Sequence, residues 1–135
     1  MDGDLRECRS CHQIFPISTF KGRGNRNPGQ RHTMCNRCLY VRYTRPAADK
    51  KTKEVQDYKV RKGCVDCGYN NHPAALEFDH LPEFVKKFNI MEKVGSYSMK
   101  KIWEEIAKCD VVCANCHAVR TNERRARVEV SDCFV

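Results

Sequence analysis

Eight of the ten cysteines fall into four C-x2-C pairs, Cys8/Cys11, Cys35/Cys38, Cys64/Cys67 and Cys113/Cys116, and this spacing sets narrow limits on the fold. Two thiolates separated by two residues reach one tetrahedral ion across a tight turn, so four pairs supply two four-cysteine zinc sites. The alternatives are a disulfide framework and a thioredoxin-like redox pair. The first needs an oxidising compartment, and residues 1–8, with mixed charge and no apolar run after a basic patch, do not read as a secretory signal. The second needs a strand and helix pattern that the residues around the pairs lack. A reduced, cytoplasmic setting is therefore expected. No window approaches the roughly 18 consecutive apolar residues of a membrane helix. Cys109 and Cys133 stand outside the pairs: Cys109 reads as a small buried apolar residue able to compete with Cys113 for zinc, and Cys133 as a free thiol.

Chain order suggests how the pairs close. Cys8/Cys11 and Cys35/Cys38 enclose 23 residues rich in Gly, Asn and Arg, too polar for a core of their own, so residues 1–45 read as a metal-held ribbon. His12, beside Cys11, is an alternative ligand there; His32 reads as exposed and His72, before Pro73, as turn chemistry. Residues 46–63 read as a basic linker helix, with Pro46 in its first turn and Gly63 as its stop. Cys64/Cys67 and Cys113/Cys116 enclose 45 residues that carry most of the aliphatic and aromatic side chains, so residues 64–135 form the main module. A crossed pairing would entangle the loops.

The net charge of +8 is unevenly spread. Residues 1–38 carry seven basic and three acidic side chains, residues 39–63 eight and three, and residues 64–135 ten and eleven. A basic ribbon and linker beside a near-neutral module suits a polyanion, most simply DNA. Arg23, Arg26, Arg31, Arg42 and Arg45 are the expected phosphate contacts, with Tyr40 and Tyr43 interleaved; a solvated surface is the plainer explanation of the same charge.

In the main module, residues 76–80 alternate apolar and polar side chains, as a short strand does, and Leu81-Pro82 closes it. Met99, Ile102, Trp103 and Ile106 share a helical face after a Ser96 or Ser98 cap. Val111 and Val112 form a brief strand into the Cys113 knuckle, and residues 117–128 read as a final helix carrying Arg120 and Arg124. Chemistry gathers between these elements: Asp79-His80 ends one strand, and His117 directly follows Cys116.

Three stretches carry a resemblance: Gly63-Cys64-Val65-Asp66-Cys67-Gly68, Leu76-Glu77-Phe78-Asp79-His80, and Lys108-Cys109-Asp110-Val111-Val112-Cys113-Ala114-Asn115-Cys116-His117. Over residues 46–127 the chain resembles the zinc-containing HNH endonucleases of phages and bacteria. The resemblance implies a small zinc-stabilised α+β protein with a ββα-metal core, preceded by a zinc ribbon and a basic helix. It implies two structural Zn2+ ions on the eight paired cysteines. It also implies a catalytic divalent cation, Mg2+ or Mn2+ with Ni2+ or Zn2+ as alternatives, on Asp79 and His117, and His80 as general base. Arg120 and Arg124 would contact DNA phosphates. The asparagine of the family signature has no counterpart before the second knuckle, where Lys108, Cys109 and Asp110 stand; Asn115 lies inside the knuckle instead, as a catalytic or turn-forming residue. Asp110 is one group that could hold the His80 loop. Glu77 reads as an exposed strand residue or a carboxylate supporting the site, and Lys86 and Lys87 as DNA contacts or solvated side chains. The competing function is a zinc-stabilised DNA-binding or adaptor protein without catalysis.

Overall fold

The computed structural model describes the backbone of residues 4–132 and the side chains of residues 4–127, so Cys133 lies outside the described residues. The chain divides into two compact units, Met1–Ala48 and Asp49–Val135.

In the first unit, strands β1 (Leu5–Glu7) and β2 (Ile14–Pro16) pair antiparallel, with Arg6 opposite Phe15. The Cys8/Cys11 knuckle is the turn between them. It closes by hydrogen bonds from His12 N to Cys8 O and from Cys8 N to Gln13 O, both 2.9 Å. Phe20 is fully buried among the cysteines, packed with Cys8 and Cys35. The ribbon thus has a core of one aromatic ring and its sulfurs, too little to stand on apolar burial alone. Arg31 donates to the Phe20 carbonyl at 2.7 Å, and the Arg6 guanidinium lies 5.7 Å from the Phe20 ring centre.

Helix α1 (Asn36–Leu39) starts inside the second knuckle and leads through a wide, π-type turn, Tyr40–Thr44, into α2 (Arg45–Lys62). The sequence places the helix start at Pro46, yet helical backbone already begins at Asn36. The wide turn explains how Pro46 is tolerated: it lacks the N–H that would bond the Arg42 carbonyl, and its ring needs the room that a loosened turn gives. Arg45 N–H bonds to Tyr40 O across that turn. The rest of α2 is no free linker. Val55 and Lys59 are buried in the second unit, where Lys59 Nζ donates to Leu76 O at 2.7 Å and fixes the start of β3.

Gly63 ends α2 in the left-handed conformation, φ +67°, with its N–H on Lys59 O. Strands β3 (Leu76–His80) and β4 (Cys109–Cys113) pair antiparallel, with Leu76 opposite Cys113, Asp79 opposite Asp110 and His80 opposite Cys109. Between them come the short α3 (Ile90–Lys93), which the sequence does not announce, and α4 (Met99–Ile106). Ser98 is the cap of α4, accepting from Lys101 N at 3.4 Å. Ile102 and Ile106 of α4 join Val55, Ile90 and Val94 in one core cluster. Trp103 packs on that cluster as core, edge-on to Tyr58 at 5.2 Å. Helix α5 (Ala114–Asp132) follows β4 without a break and packs on both strands. It begins at Ala114, ahead of the expected His117, because the last cysteine pair is taken into the strand end and the first helical turn.

Both knuckles at the N-terminal side of their units turn through a left-handed residue just after the second cysteine: Gly68, φ +77°, and His12, φ +56°. His12 therefore serves as turn backbone rather than as ligand, with its exposed ring 3.0 Å from Glu7 Oε1. His72 accepts from Ala74 N at 3.1 Å and caps the turn before β3. A methyl group added at Gly68 meets nothing within 4 Å, whereas one at Gly63 lies 3.3 Å from Asn70 Cβ. Gly68→Ala should thus cost only the left-handed penalty, about 1–2 kcal/mol, and Gly63→Ala more, read by denaturant unfolding of the metal-loaded protein. Near-zero changes in both would show that the turns do not require glycine.

Candidate functional site

The fold brings the eight paired cysteines together as the sequential pairing requires. The sulfurs of Cys8, Cys11, Cys35 and Cys38 lie within 4.8 Å of one another, as do those of Cys64, Cys67, Cys113 and Cys116. Each group could hold one metal ion, and an all-thiolate set selects zinc or iron over hard cations. Backbone N–H groups converge on the leading sulfur of each set. Burial pushes the Cys8 thiol up, but N–H groups of Cys35, Cys11 and Ser10 outweigh it and bring it down to about 6. Cys64 is likewise brought down to about 6 against burial, by N–H groups of Cys113, Cys67 and Asp66. The trailing sulfurs behave oppositely. The Ser10 hydroxyl lowers Cys38, but the neighbouring Cys35 and Cys11 thiols drive it up to about 12; Cys113 raises Cys116. Thiolates gathered this closely repel one another, and a cation held among them would relieve that repulsion. Cys109 stands apart: burial, then the Glu105 and Asp79 charges, push its thiol up to about 12, and its Sγ donates to Glu105 O.

Strand alternation sends Glu77 and Asp79 to the face covered by α5, and Phe78 and His80 to the other. On the α5 face, Asp79 is 3% exposed and holds two arginines. Arg124 binds both its oxygens, NH1 to Oδ1 and NH2 to Oδ2 at 2.8 Å each, and Arg120 NH1 reaches Oδ2 at 3.0 Å. Arg120 also bonds Asp110 Oδ2 at 2.9 Å and grips Asp66 with two bonds of 2.7 and 2.6 Å. The antiparallel register sets the Asp79 and Asp110 carboxylates opposite each other, a repulsive pair, and Arg120 is the cation between them. Burial pushes the Asp79 carboxyl up, but the bonds from Arg124 and Arg120 hold it below the usual carboxylate range. His117 Nε2 lies 3.6 Å from Asp79 Oδ1, while its Nδ1 is hydrogen-bonded to Glu77 Oε2. Two ligands about 2.1 Å from one ion are spaced only slightly closer than this. Among the described residues, however, three or more ligand atoms converge only in the two cysteine groups.

On the opposite face, His80 is 14% exposed and its Nε2 is 3.0 Å from Oε1 of Glu105, itself 1% exposed. Lys87 N donates to the same oxygen at 2.8 Å, and Lys108 Nζ to Oε2 at 2.7 Å. Burial opposes ionisation of Glu105, yet the bonds from Lys108, Lys87 and His80 bring it down to about 2, so it is a carboxylate at any ordinary pH. Glu105, rather than Asp110, thus holds His80. The signal was its place on the same α4 stripe as Ile102 and Ile106, where a glutamate must have a partner. A cleft of about 420 Å3 along β3 is lined by Lys59, Glu77, His80, Lys86, Asn89 and His117.

Asn115 is not among these residues. It sits exposed in the first turn of α5, beside a small hollow with Cys67, Tyr69 and Cys113, and has ordinary helical backbone. Of the expected DNA contacts, Arg120 and Arg124 are paired with carboxylates as described. Arg31 is turned onto the Phe20 carbonyl, Arg26 is exposed, and Arg45 opens α2. Arg23 and Arg42 line a separate hollow of the first unit.

Two outcomes follow from this arrangement. Metal analysis of the purified protein should give about two tightly held ions per chain, with Cys8→Ser and Cys64→Ser each losing one; a single ion in the wild type would exclude the two-centre arrangement. Arg120→Gln should destabilise the second unit by about 3 kcal/mol, and adding Asp110→Asn should recover part of that loss in denaturant unfolding. Simple additivity of the two would mean that Arg120 does not act as the cation between the strands.

No protein-family model matches the chain, and neither does any curated protein or solved structure.

Proposed function

We propose that the second unit is a metal-dependent DNA endonuclease built on a ββα-metal core like that of the HNH enzymes, hydrolysing phosphodiester bonds. The observation that carries this reading is the meeting of Asp79 and His117, 3.6 Å apart across β3 and α5, with His80 next in the chain and fixed by a buried carboxylate.

Asp79 and His117 would hold a divalent ion, which when bound supplies Lewis-acid stabilisation of charge on the phosphate and the leaving 3′ oxygen. Glu105, ionised, accepts the Nε2 proton of His80 and so fixes the tautomer. Nδ1, with no protein hydrogen bond among the described residues, is left to accept the proton of the attacking water. Glu77 does the same for His117: by accepting from Nδ1–H it leaves Nε2 as the ligand nitrogen. Arg124 is 40% exposed and hangs on a flexible stem, so it can leave Asp79 for a phosphate oxygen, while Arg120 stays with Asp66 and Asp110. Exposed basic side chains of the first unit, Arg23 and Arg42 among them, would neutralise phosphates.

A second reading has its own support. Both Asp79 oxygens accept from arginines, an arrangement that is electrostatically complete without a third cation and suits a non-catalytic DNA-binding or adaptor protein. Incubation of supercoiled plasmid with Mg2+ or Mn2+ separates the two. The nuclease reading expects nicking by the wild type and a loss of about 100-fold or more in His80→Ala. Equal nicking by both would sink the proposed base, and no nicking by the wild type with either ion would favour the binder.

A further inference from the structure

The formal charge of the first unit is not spread evenly over its surface. Arg6 and Arg31 are turned inward onto Phe20 and backbone carbonyls. Arg9, Lys21 and Arg23 make no side-chain hydrogen bond or ion pair among the described residues. Together with Arg42 they line one hollow of about 780 Å3, walled by the first knuckle, the loop after Phe20, residues 32–34 and the wide helical turn. Among the described residues that line it there is no carboxylate. Four cations around one concavity raise the local positive potential and draw an anion towards it.

One aromatic ring belongs to the same hollow. Tyr43 is exposed, and the Arg42 guanidinium lies 5.9 Å from its ring centre. An exposed ring beside phosphate-binding cations is what a base needs when it is not stacked within a duplex. A duplex presents phosphates along a convex surface and keeps its bases inside, so it would use the cations and leave the ring idle. We propose that this hollow is a binding groove for an unpaired nucleic-acid strand, its phosphates held by Arg9, Lys21, Arg23 and Arg42 and one base stacked on Tyr43. The proposal rests on nucleic acid as the partner, as in the reading above, but not on catalysis.

The test uses the full-length, metal-loaded protein without added Mg2+ or Mn2+, and a fluorescent oligothymidine of about 12 nucleotides, with a duplex of equal length as the second probe. Arg23→Gln/Arg42→Gln should weaken single-strand binding by about tenfold or more and lower the slope of log affinity against log salt by about 1.4. Arg125→Gln/Arg127→Gln, which removes the same charge from exposed positions on α5, should leave the affinity within about twofold. Tyr43→Ala should cost about tenfold on the single strand and nothing on the duplex. Equal losses in the two double variants would overturn the groove in favour of diffuse charge. An unchanged Tyr43→Ala, or equal losses on both probes, would overturn the single-strand assignment. Because no cleavage is read, a protein that binds in this way and never nicks plasmid would keep the groove and lose the nuclease, and one that nicks without these losses would do the reverse.

Discussion

The convergence of Cys64, Cys67, Cys113 and Cys116 is the constraint on which the second unit depends. It joins the end of α2 to the junction of β4 and α5, so three elements meet at one point. Cys113 is the last residue of β4, Cys116 lies in the first turn of α5, and His117 follows it. Any ion held there fixes the axis of α5 relative to β3, and with it the spacing between His117 and Asp79. The same attachment sets Arg120 and Arg124, one and two helical turns further on, over the strand pair. Free energy that a larger domain would draw from its core is here available from metal–sulfur bonds.

A second constraint is the strand register. Leu76 opposite Cys113 forces Asp79 opposite Asp110, an arrangement that loses energy unless a cation lies between the carboxylates. Arg120 supplies it, and Asp66 from the first knuckle of the unit completes its coordination. The two faces of β3 are therefore built differently. On one, Asp79 is held by long cationic side chains with rotatable stems; on the other, His80 is held by a carboxylate that is itself fixed by three donors. The first is adjustable and the second is rigid. The nuclease proposed above would need just that difference, with an acid able to exchange ligands beside a tautomer-fixed histidine.

Much of this was legible in the sequence because it rests on short-range rules. The cysteine spacing gave both ligand sets, alternation gave residues 76–80, and Ser98 and Gly63 marked helix ends. What was hidden depended on contacts distant in the chain. Nothing near Glu105 says that it meets His80, 25 residues away, and nothing near Arg120 says that it meets Asp66. The helix from Asn36 was obscured by Pro46, whose local signal marks a start, whereas a wide turn lets the helix pass through it. The strands Leu5–Glu7 and Ile14–Pro16 are three residues each, too short for periodicity to register.

Charge is where sequence and structure differ most in meaning. Counted along the chain, basic residues of α5 look as available to a polyanion as those of the ribbon. In the fold, Arg120 faces three carboxylates and Arg124 one, so the second unit offers less positive surface than its arginines suggest. Within the ribbon, Arg6 and Arg31 support Phe20, while Arg9, Lys21, Arg23 and Arg42 line one hollow. Phosphate affinity follows unpaired, clustered charge rather than the formal total. The basic character of the chain therefore divides by role: arginines that hold carboxylates organise the candidate cleft, and those without carboxylates are free to hold a strand.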